Sequence, residues 1–144
     1  MNFAKFWQRI LASMIDNVIC LLTGGVLAGF SGYVLGFSLP DISRYMMENV
    51  AFGSGIFLFL LMRWLYFTLF ESSEYQTTPG KMVFGIKITD KNGSQISFGR
   101  ANIRYWSKTL SLMMLGFGFL LAAFTKKKQG LHDLIAKTLV LKNN

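Results

Sequence analysis

The sequence predicts an all-α membrane protein: two full transmembrane helices, a third apolar element that is re-entrant or spanning, and a small cytoplasmic β-hairpin or sheet. Three observations predict it. The 144-residue chain is 52% hydrophobic, and its apolar residues come in long blocks rather than alternating faces. Blocks of about 20 apolar residues are long enough to cross ~30 Å of hydrocarbon. The basic residues lie between the blocks and give a formal net charge of +8. Finally, the run from Met82 to Phe98 alternates as two strands would about an Asn92-Gly93 turn. Nucleic-acid binding explains the charge poorly, because the one short Lys run stands apart from the aromatics, which sit in the apolar blocks. Basic flanks facing anionic lipid headgroups account for it instead.

All 144 residues read as one domain. The first span covers about residues 10–37, after Lys5 and Arg9. Such a start resembles a signal peptide, but the run is long, Asp16 interrupts it and no A-x-A site ends it, so an uncleaved anchor is expected. Cys20 is the only cysteine, which leaves no disulfide framework or zinc cluster within one chain. A short segment with Pro40 follows, in which Arg44 is outweighed by Asp41 and Glu48. The second span covers about residues 50–70, and residues 71–108 then set six basic residues against Glu71, Glu74 and Asp90. Positive segments stay on the cytoplasmic side. The N-terminus and the stretch after Phe70 are therefore placed inside, and the acidic loop outside.

The remaining elements are a hairpin region at about 78–100, a third apolar element at about 104–124 and a basic tail at 125–144. The tail holds a second β-prone run, KTLVLK at 137–142, which needs partners because a lone strand is unstable in water. If it shares a sheet with the hairpin, both lie in the cytoplasm. The apolar block between them would then be re-entrant, bending at Gly116 and Gly118. Charge bias and strand pairing agree on this, so it is preferred to a third plain span.

Charges inside the blocks raise the functional question. A carboxylate such as Asp16 costs roughly 2.5–3.5 kcal/mol near the bilayer centre on insertion scales. Arg9 lies seven residues earlier, on nearly the same helix face. Arg63, in LFLLMRWLYF, sits as far from the end of its block as Asp16 does from Arg9. Antiparallel helices would bring Asp16 and Arg63 to one level, and pairing would remove much of the cost of each. Two readings stay open: the pair holds helices together, or Asp16 takes and releases a proton or cation during transport. Gly24, Ala28, Gly32 and Gly36 recur every four residues and let another helix approach closely, either the second span or another copy. With so few spans per chain, a homo-oligomer or a membrane partner is expected.

No enzyme constellation emerges, and neither a cofactor nor a metal is expected. His132 beside Asp133 invites a catalytic story, but one His and one Cys do not make a site. TTPGK at 77–81 resembles the tail of a phosphate loop, yet Tyr75 stands where the earlier glycine is required. A turn leading into the hairpin explains it better.

Taken together, four ordered stretches resemble the RDD family of small bacterial membrane proteins: RILASMID with Arg9 and Asp16, TPGKMVFGIKITDKNG at 78–93, SFGRANIRYW with Arg104, and QGLHDLIAKTLVL with Asp133. The resemblance implies a bacterial inner-membrane location and carries the family's named residues onto Arg9, Asp16 and Asp133. Some members are linked to sodium or proton exchange. Lys137 departs from the pattern, where glycine is common, and Arg63 is outside it. If the tail returns to the inner face, Arg9 would bridge Asp133 while Arg63 neutralises Asp16. The expected function is an oligomeric cation/proton exchanger using Asp16; the alternative is a non-transporting scaffold or accessory subunit whose Arg/Asp network is structural.

Overall fold

The computed structural model describes residues 2–39, 43–113, 125 and 128–142. Among them the elements run α1 (Phe6–Ser38), α2 (Arg44–Ser72), α3 (Pro79–Met82), β1 (Ile86–Asp90), α4 (Phe98–Met113), α5 (Leu131–Ile135) and β2 (Thr138–Lys142). Helices α1 and α2 begin before the apolar blocks and end beyond them, at 33 and 29 residues. A rise of about 1.5 Å per residue makes the shorter one about 43 Å long, enough to cross a bilayer. Only 11% of the most apolar window of each is buried, whereas the core helix of a soluble protein would be mostly covered. Leu22, Val26, Phe30 and Phe57 instead face outward.

The chain divides into two compact units, Asn17–Leu65 and Met1–Asp16 with Tyr66–Asn144. The first is a helix pair, and its packing settles which neighbour the small-residue ladder serves. A Cβ on Gly24 would lie 2.2 Å from the Phe59 ring, one on Gly55 would lie 3.1 Å from Ala28, and Gly32 and Gly36 look onto Ala51 and Met47 at 3.8 Å. Each step of four up α1 meets a step of four back along α2, so the two run antiparallel with the ladder as their seam. Gly25 lies off this seam, with nothing within 4 Å of its added Cβ. Gly24→Val should therefore push the helices apart and lower the melting temperature in detergent, while Gly25→Val leaves it nearly unchanged. Arg63 belongs to this unit as well, donating from Nη1 to Asn17 Oδ1 at 2.7 Å.

In the other unit the predicted hairpin is replaced by a longer-range pairing. β1 runs antiparallel to β2, with Ile86 opposite Lys142 and Asp90 opposite Thr138. The residues expected to share a sheet do so, but the local return strand after Asn92-Gly93 is absent from the described structure. The turn itself forms: Gly93 takes φ 86°, and Asp90 Oδ1 accepts from the backbone N–H groups of Asn92 and Ser94 at 2.8 and 2.9 Å. Beyond it, Ile96 is buried with Ile88 and Ala101, and Gln95 Nε2 donates to the Ser72 carbonyl at 2.6 Å. These contacts draw the chain across the strand's face toward α4, leaving the strand edge to β2.

The N-terminal residues extend the sheet on the other side of β2. Phe3 bridges Leu141, Ala4 N–H donates to Val140 O at 3.1 Å and Lys142 N–H to Asn2 O at 2.8 Å. Ala4, Ala12, Ile86 and Val140 form the small apolar core beneath. Lys137 takes φ 55° just before β2, a left-handed conformation that favours glycine. Of the third apolar element, α4 covers the beginning; residues 114–124, with the proposed bend at Gly116 and Gly118, lie outside the described residues.

Candidate functional site

The site grows from the segment TPGK. Pro79 opens α3, where its missing N–H would have had no helical partner anyway. The next amide, Gly80 N–H, is free to donate outward and meets Asp16 Oδ1 at 2.8 Å. The Tyr66 hydroxyl donates to the same oxygen at 2.8 Å, and the Thr78 hydroxyl donates to Oδ2 at 2.5 Å. Asp16 is fully buried. Only glycine fits at residue 80, since a Cβ there would lie 2.5 Å from Ala12 O and 2.7 Å from Asp16 Oδ1. The carboxylate that looks misplaced in the sequence is thus the anchor for α3. Within this unit its donors are two hydroxyls and an amide.

One residue further on, Lys81 turns into a second cluster. Its Nζ reaches Glu71 Oε1 at 2.6 Å, Lys108 Nζ reaches the same oxygen at 3.1 Å, and Arg104 Nη1 takes Oε2 at 2.6 Å. The Phe67 ring lies beneath both ammoniums, 5.6 Å from Lys81 and 4.9 Å from Lys108, where its face attracts cations. Arg104 continues the chain of pairs through Nε to Asp133 Oδ1 at 2.9 Å. Arg9 Nη2 holds the other Asp133 oxygen, and Arg9 Nη1 donates to Lys128 O at 2.5 Å. The start of α5 orients Asp133, whose Oδ2 also accepts from Gly130 N–H at 3.1 Å. Glu71 and Asp133 are buried, as are Lys81 and Arg104.

The Arg9–Asp133 bridge expected from the resemblance is present, with Arg104 as a second clamp. Asp16 takes Tyr66, Thr78 and Gly80 as donors in this unit, and Arg63 donates to Asn17 within the helix pair. Sequence reasoning missed Glu71, Lys81 and Lys108, which it counted only as topology-setting charges. It also missed Tyr66, Thr78 and Gly80 as ligands of Asp16. Glu71 did carry a signal: it is the first charge after an apolar block, where a carboxylate on a helix end needs a partner.

Asp133 feels two opposing effects. Burial pushes its carboxyl up, but Arg104 and Arg9 outweigh this and hold it well below the usual carboxylate range. Burial lowers His132 to about 3; Asp133 opposes the shift, and Arg104 adds to it. A histidine lowered on folding binds more protons unfolded than folded between its two pKa values. Its stabilisation is complete above about pH 6.5 and is lost as pH falls toward the folded value of about 3. Melting temperature should therefore drop between pH 7 and pH 4, and His132→Phe should flatten most of that slope.

Chemically, Glu71 and Asp133 are each shared by at least two cations, and both are closed off from solvent. That is an arrangement for fixing elements in place. Among the described residues no three His, Cys, Asp or Glu side chains come together as metal ligands would.

Two bilayer-length apolar helices, joined to a polar unit pinned by buried ion pairs, define a small helical membrane protein. The chain belongs to the RDD family, whose sequence model matches residues 3–137. It is 32% identical to "Uncharacterized protein YxaI" of Bacillus subtilis (strain 168), over 96% of each chain. It is 28% identical to "Uncharacterized membrane protein YteJ" of the same strain, over 96% of this chain and 80% of that one. No solved structure matches it.

Proposed function

We propose that this protein is a non-transporting scaffold or accessory subunit of the bacterial inner membrane, in which the Arg/Asp network is structural. The observation that carries the reading is how Asp16 is held: it is buried, both oxygens accept hydrogen bonds, and a Cβ on Gly80 would clash with Oδ1. A carrier carboxylate needs a water-filled approach and freedom to exchange ligands. The N-terminus lies in the cytoplasm in this reading, a placement supported by the basic flanks and by the sharing of one sheet between residues 2–4 and β2. Anionic lipids surround it, a second copy or another membrane protein is its partner, and it performs no enzymatic reaction.

One observation favours exchange instead. The three groups described as donating to Asp16 are formally neutral, the kind of shell that a carboxylate binding a passing cation would trade for it. Cation-driven proton flux in liposomes separates the readings, with Asp16→Asn alongside wild type. A scaffold gives no flux in either, and the variant melts earlier. Flux in wild type that vanishes in a variant of unchanged stability and oligomeric size makes Asp16 the carrier.

A further inference from the structure

Helix α4 is amphipathic the wrong way round for water. Ala101, Arg104, Ser107 and Ser111 are buried, and Lys108 joins them on the Glu71 cluster with its side chain 22% exposed. The opposite face carries Ile103, Trp106 and Leu110, exposed by 50%, 62% and 49%. A soluble helix buries its apolar stripe and shows its charges; this one does the reverse. Among the described residues it is not one of the two helices long and apolar enough to span.

We infer that α4 lies in the lipid–water interface, with Ile103, Trp106 and Leu110 among the acyl chains and its charged face turned into the protein. The inference rests on the membrane reading above and extends it to an element outside the two spans. Lipid is favoured over a second copy because apolar exposure in this unit is spread over four helices. Met14 of α1, Met82 of α3 and Leu134 of α5 are exposed as well, and α1 continues unbroken from this unit into its apolar window. A fluid apolar solvent meets many separate elements at once, whereas a single docked partner meets one surface. A tryptophan at residue 106 suits the depth, since Trp gathers at headgroup level.

The chain's three tryptophans, at 7, 64 and 106, make the test direct. The double variant Trp7→Phe/Trp64→Phe leaves Trp106 as reporter, and Trp7→Phe/Trp106→Phe leaves Trp64 on α2. Each is reconstituted as the full chain into phosphatidylcholine–phosphatidylglycerol vesicles carrying spin-labelled lipids. The expected result is blue-shifted Trp106 emission, quenched more by a label near the headgroup than by one at the chain end and untouched by aqueous iodide. Quenching by iodide but not by lipid labels overturns the inference by placing the face in water. Shielding from both also overturns it, by placing protein over the face. Trp64 keeps the two levels apart: lipid quenching there without quenching at Trp106 sinks only the placement of α4. Loss of both sinks the membrane reading too.

Discussion

Replacing Glu71 by glutamine is expected to be among the most damaging single changes this chain can suffer. It leaves Lys81, Arg104 and Lys108 facing one another around a neutral amide. Removing one member of a buried ion cluster typically costs about 3–5 kcal/mol, because the remaining charges stay desolvated without compensation. Here three cations lose their shared partner, so the upper part of that range is expected, read as a lowered midpoint for unfolding in detergent. Adding Lys108→Met to the variant should recover part of the loss, because it removes one of the uncompensated charges. Glu48→Gln is the control: its pair with Arg44 spans 3.6 Å between highly exposed side chains, and it should leave the midpoint where it was.

Asp133→Asn should follow closely, at about 3 kcal/mol. It strips the carboxylate from Arg9 and Arg104 together, and Arg104 then depends on Glu71 alone. The loss has a second face, because α5 is oriented by the same side chain through Gly130 N–H. Protease nicking between residues 128 and 137 should rise in the variant while α1 and α2 stay protected. In a double-mutant cycle, Arg9→Met and Asp133→Asn should cost clearly less together than their separate effects added, as expected for direct partners.

What the sequence shows, and what it hides, divides along sequence separation. The two spans are legible from block length alone. So is the small-residue seam, because a four-residue repeat of Gly and Ala has a packing meaning in any helix. The Asn92-Gly93 turn was also readable, but the strand that follows it was not real: alternation in Ile86–Asp90 identifies a strand, never its neighbour. The partner comes from residues 138–142. Asp16 illustrates the same limit. Its burial and cost could be read from its surroundings, but its ligands sit 50 to 64 residues away. TPGK was recognised as a turn with a resident glycine; that the glycine makes room for a carboxylate required the fold. Glu71, Lys81 and Lys108 went unnoticed because charges at block ends are ordinary markers of topology, and nothing local distinguishes a marker from a partner.

The bridge between Arg9 and Asp133 also has a temporal side. The two residues are 124 positions apart, and ribosomes add about 5–20 residues per second, so roughly 6–25 s separate their synthesis. Once residue 72 is made, for about the second half of that interval, both long helices are available for insertion while Arg9 lacks its carboxylate. Arg104 has only Glu71, and β1 has no strand to pair with. The nascent protein therefore passes through a stage in which its hydrophobic half is complete and its polar half is unfinished. Water, lipid headgroups or the insertion machinery must solvate the waiting cations until the last strand arrives. A chain stalled before residue 133 would sit in the membrane with that half open, a natural substrate for quality-control proteolysis.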